Sequence, residues 1–137
     1  LRAEAYSKIL NYNILYGFSY MEEEKIKLKS LFGGFLVNKI SVMAEIDLIE
    51  NWVSKKQAMA TFSEIAFMYK PGLNLLFQYN FYDEDIKFQT NIINRYSLGI
   101  EFFLFNFWEF KFQLRYNKLN NLDFEPAEFL TQYHFWF

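Results

Sequence analysis

FWEFKFQLRYN, residues 107–117, is the stretch whose reading decides the fold. With a period of two, Trp108, Phe110, Phe112, Leu114 and Tyr116 fall on one side. Glu109, Lys111, Gln113, Arg115 and Asn117 fall on the other. Successive side chains of an extended chain point to opposite faces, so this strict alternation predicts a β-strand with one apolar and one polar face.

The same pattern spreads outward in both directions. Upstream, Tyr96, Leu98, Ile100, Phe102 and Leu104 oppose Arg95, Ser97, Gly99 and Glu101, with a tight turn expected at Phe105-Asn106. Downstream, residues 127–137, AEFLTQYHFWF, place Phe129, Thr131, Tyr133, Phe135 and Phe137 opposite Glu128, Leu130, Gln132, His134 and Trp136. Leu73, Leu75, Phe77, Tyr79 and Phe81 form another apolar face after the turn signal Lys70-Pro71-Gly72. Residues 27–37 and 40–49 read as a hairpin around Asn38-Lys39, with Gly33-Gly34 marking a bulge or bend. Residues 57–69 give the least clear strand, residues 12–21 alternate well, and residues 1–6 read as a partial strand.

About nine strand segments result, in one unit spanning residues 1–137. Short connections are expected at Ser7–Asn11, Asn38-Lys39, Lys70–Gly72 and Phe105-Asn106, with longer charged loops between them. Glu22-Glu23-Glu24 and Asp83-Glu84-Asp85 read as solvated tips of those loops. Short turns at one end and long loops at the other describe an antiparallel up-and-down transmembrane β-barrel. Such barrels usually have even strand numbers, so an odd count with a partial first strand predicts further strands upstream. The expected fold is therefore all-β, the C-terminal strands of a larger barrel.

Composition agrees. Aromatics reach 23% and hydrophobic residues 53%, yet charged residues still make up 22%, so apolar and polar residues are interleaved rather than blocked. No apolar run is long enough for a transmembrane helix, which does not bear on barrel strands. The absence of cysteine removes disulfides, thiolate chemistry and covalent haem attachment through a CxxCH motif. A net charge of −2 with no basic stripe argues against nucleic acid as a partner. Leu1 is not Met and no signal peptide is visible, so the chain reads as mature or as a fragment.

The final strand resembles the C-terminal strand of bacterial outer-membrane β-barrels, which ends on an aromatic with hydrophobics at alternate positions. Tyr133, Phe135 and Phe137 match; Leu130 and Gln132 stand where that pattern favours a polar residue and a glycine. The resemblance implies that these three aromatics are an assembly signal for the barrel-assembly machinery. It also implies surroundings of outer-membrane lipid and lipopolysaccharide. RYSLGIEFF (95–103) and WEFKFQLRYN (108–117) are similar to strands of barrels from environmental bacteria. Some of those sheathe multihaem cytochromes, which implies a porin, a channel, or a sheath or anchor for a periplasmic or extracellular electron-transfer cytochrome.

Alternation assigns the two faces. Glu45, Asp47, Glu64, Gln78, Arg95, Glu101, Glu109, Lys111, Gln113, Arg115 and His134 are expected to line a wet lumen. Phe77, Tyr96, Phe102, Trp108, Phe110, Phe112, Leu114, Tyr133 and Phe135 are expected to face lipid, and Phe137 to sit at the periplasmic rim. Glu45, Asp47 and Glu64 could act as acid and base or hold Ca²⁺, but solvating the lumen or pairing with Arg95, Lys111 and Arg115 is the simpler role. His134 is the only histidine and has no cysteine partner, so it is read as a polar lumen or rim residue; no cofactor is expected. No nucleophile motif accompanies it, so no enzyme is expected, and an outer-membrane enzyme would need its nucleophile upstream. The other competing class is a soluble β-barrel holding an apolar ligand, which would turn the same apolar face inward.

Overall fold

The computed structural model describes residues 1–9, 12–51, 56–88, 91–105, 107–120 and 126–135. Nine strands form one sheet in strict sequence order: β1 (Arg2–Ile9), β2 (Tyr12–Glu23), β3 (Ile26–Val37), β4 (Ile40–Glu50), β5 (Gln57–Lys70), β6 (Leu73–Asp83), β7 (Ile92–Phe105), β8 (Trp108–Leu119) and β9 (Ala127–Phe135). Every neighbouring pair is antiparallel. The fold is an all-β up-and-down sheet, as the alternation predicts. Among the described residues each strand touches only its sequence neighbours, so β1 and β9 are free edges and the sheet is open.

Turn chemistry explains the pairing. Val37 faces Ile40 across the two-residue turn Asn38-Lys39, where Asn38 takes φ 52°, a left-handed conformation that asparagine tolerates. Gly72 supplies φ 79° at the turn after Pro71, where a side chain would be strained. Bulges interrupt the ladder between Met68 and Lys70 and between Phe103 and Phe105, both close to turns.

Three expectations need correction. Ser7, Lys8 and Ile9 are not a connection but the end of β1, paired with Ile14, Asn13 and Tyr12. The charged run after β2 is not a long loop: Glu22 and Glu23 sit on the ladder opposite Lys27 and Ile26, leaving only Glu24 and Lys25 to turn. The physical reason is a cross-strand ion pair, Glu22 to Lys27 at 3.4 Å, which makes charge a pairing signal here. The short-turn, long-loop asymmetry therefore breaks at the β2–β3 connection. Asp83 and Asp85 are buried rather than solvated, because Asp83 Oδ1 accepts the Asp85 N–H at 3.0 Å and Asp85 Oδ1 accepts the Lys87 N–H at 3.1 Å. The expectations for Asn106 and Phe137 lie outside the described residues.

Burial is inverted relative to a water-soluble domain. Among the described residues the only buried hydrophobic side chains are Ala58 and Leu76, whereas Ser30, Gln78, Ser97, Gln113 and Asn117 are buried polar residues on strands. The large exposed hydrophobics include Tyr16, Phe18, Leu31, Ile46, Phe77, Leu98, Ile100, Leu114 and Phe129. The register puts these exposed residues on one face and these buried residues on the other, while Leu15, Leu36 and Met43 are exposed on the second face and Asp83 is buried at the end of the first. Among the described residues nothing stacks on either face, so one-sided burial comes from curvature: side chains converge on the concave face and splay on the convex one. On β5–β9 the concave face is the polar one.

Two contacts show the same curl. Gln113 on β8 donates to Gln78 Oε1 on β6 at 2.8 Å, reaching across β7 over Gly99. Strands two apart are separated by about 9–10 Å at the backbone, so the bond needs converging side chains. The Arg2 guanidinium on β1 lies 4.9 Å from the Phe32 ring on β3, across β2 at Gly17. A Cβ at Gly17 would come within 2.5 Å of the Ala3 carbonyl oxygen, so this crossing requires glycine.

Candidate functional site

The convex face carries an apolar belt with aromatic borders. Tyr79, Tyr96 and Tyr116 form one rung across β6, β7 and β8, with Tyr79 donating to Asn94 Oδ1 at 2.8 Å. Phe77, Leu98, Leu114 and Phe129 form the next rung, followed by Leu75, Ile100, Phe112 and Thr131. The far border stacks Phe102 on Phe110 at 5.2 Å and sets Trp108 edge-on to Phe135 at 5.2 Å and Phe110 edge-on to Tyr133 at 5.0 Å. From Trp108 to Tyr116 the belt covers eight residue steps of about 3.3 Å, roughly 26 Å along the strand. Following the Tyr116 rung across the sheet leads to Tyr16 on β2, four residues short of Tyr20, where that strand's belt ends at Glu22. A belt displaced in this way is the stagger of tilted strands.

Above the belt, Lys29 pairs with Glu50 and Lys27 with Glu22. Beyond the strand ends, Lys56 pairs with Glu84 at 3.0 Å and Asn91 donates to the same carboxylate at 2.9 Å. The Asn91 amide first, and then Lys56, hold the Glu84 carboxyl below its usual range. The bond to Glu84 raises the Lys56 ammonium.

The concave face holds every residue expected to line a lumen. Glu45, Asp47, Glu64, Gln78, Arg95, Glu101, Glu109, Lys111, Gln113, Arg115 and His134 all lie on it, and the residues expected to face lipid all lie on the opposite face. On β5–β9 they form a polar network. Gln78 donates to Glu64, Gln113 to Gln78, and Arg115 to Gln113 Oε1 at 2.9 Å. Arg95 donates to Asn117 Oδ1, and the Asn117 amide N–H donates to Glu128 at 3.0 Å. Asn74 donates to Glu101 at 2.8 Å, and His134 Nδ1 lies 3.1 Å from Glu109. The expected pairing of Glu45, Asp47 and Glu64 with Arg95, Lys111 and Arg115 does not form; glutamine and asparagine do the bridging instead. Among the described residues no three metal-ligating side chains cluster.

Asn74, Ser97, Asn117 and Glu128 also belong to this wall; alternation places them on the polar face, but they are not among the residues expected to line the lumen. Their parity matches that of the residues named, and parity was the signal available. Ser97 Oγ is buried with no hydrogen-bond partner. Sequence reasoning missed how the wall divides. On β2–β5 the concave face is largely apolar, with Leu15, Leu28, Phe32, Leu36, Met43, Ala60, Phe62 and Ala66. Compared with protein-family models, curated proteins and solved structures, the chain gives no match.

Proposed function

We propose that the sheet is part of a transmembrane β-barrel of the bacterial outer-membrane kind, with its convex belt in lipid and its concave wall around an aqueous lumen. One observation carries this reading: large hydrophobics splay outward while glutamine, asparagine and serine are buried on the concave side. A soluble barrel with an apolar ligand needs the reverse curvature, with the aromatic face inside. Buried amides linked to half-buried charged groups along this wall suit a solvated passage. The function that follows is passive: a porin or channel, or a membrane-spanning sheath or anchor for a partner such as an electron-transfer cytochrome.

Backbone pairing adds a requirement. In hydrocarbon every N–H and C=O must be satisfied, so the edges of β1 and β9 need partners. In a nine-stranded up-and-down sheet the first and last strands run the same way. Pairing them directly would make a parallel contact, whereas an odd number of intervening strands closes the barrel antiparallel throughout. Tyr133, Phe135 and Phe137 serve as the strand read during assembly, and lipid with lipopolysaccharide surrounds the belt.

Brominated lipids test the reading. With Trp52 and Trp136 replaced by Phe, Trp108 at the belt border should be quenched by bromine on acyl carbons near the headgroups. A chain that stays in solution without detergent, with Trp108 unquenched, would contradict it.

A further inference from the structure

We draw no further inference here: the strongest candidate, the apolar stretch of the concave wall on β2–β5 around Leu15, Phe32, Met43 and Phe62, carries none, because nothing in the structure shows what covers it.

Discussion

Replacing Ile100 and Met43 by arginine separates lipid from water at the convex face. The two residues have the same exposure, 46% each, Ile100 at the middle of the convex belt and Met43 on the concave wall. Any account based only on burial therefore treats them alike. With about half of each side chain already free of protein contact, the transfer term lost is on the order of 1 kcal/mol for either. The long arginine stem recovers part of it. In water both substitutions should cost about 1 kcal/mol or less. With the belt in a bilayer, Ile100→Arg places a guanidinium near the midplane at a cost of ~2–4 kcal/mol, while Met43→Arg reaches the lumen and stays near 1. The difference of about 1–3 kcal/mol corresponds to roughly 5- to 160-fold in the folding equilibrium at the membrane. Guanidinium titration of vesicle-bound protein, followed by tryptophan fluorescence, reads it directly. Equal costs for the two variants, or a larger cost for Met43→Arg, would refute the reasoning.

The adjacent glycines should differ: Gly34→Ala on the concave face would set a Cβ 2.6 Å from the Val42 carbonyl oxygen, whereas at Gly33 the nearest atom is 3.3 Å away. Denaturant titration should show about 1–3 kcal/mol lost for Gly34→Ala and under about 1 for Gly33→Ala, the reverse order arguing against the concave assignment. Ser97→Ala removes a buried hydroxyl that has no partner, so stability should hold or rise by up to about 1 kcal/mol; a clear loss would reveal a bond the hydroxyl makes. The Glu84 carboxyl, lowered by Asn91 and Lys56, joins those two side chains at neutral pH. Because its folded value lies below the ordinary 4.5, that contribution is present above 4.5 and lost as pH falls through the folded value. Protease cutting at residues 84–91 should therefore rise below about pH 4, and Glu84→Gln should raise cutting at neutral pH and flatten the dependence.

Much of the fold was legible because β6, β7 and β8 alternate with few exceptions, and parity alone sorts Phe112 from Gln113. Parity also puts the eleven polar residues on one side, since a strand cannot place alternate residues on the same face. It does not say which face is inside. That needs curvature, and curvature shows only in contacts such as Gln113 to Gln78, which skip a strand. The β2–β3 turn was hidden because Glu22, Glu23, Glu24 and Lys25 look like a solvated loop, while the Glu22–Lys27 rung is what extends the ladder. β5 was unclear for a physical reason: Phe62, Ala60 and Ala66 make its concave face apolar too, which removes the period-two contrast. The Tyr79–Tyr96–Tyr116 rung depends on register across two hairpins, and register follows from turn lengths that local composition does not specify.

The most direct test of lipid on the convex face is a nitroxide scan along β8. The chain contains no cysteine, so single cysteines at residues 108–117 can be labelled one at a time. In lipid vesicles, labels at Trp108, Phe110, Phe112, Leu114 and Tyr116 should collide freely with oxygen and be shielded from a water-soluble nickel complex. Labels at Glu109, Lys111, Gln113, Arg115 and Asn117 should show the opposite preference or little access to either. The same period with the preferences exchanged, or no alternation at all, would contradict a convex face in lipid.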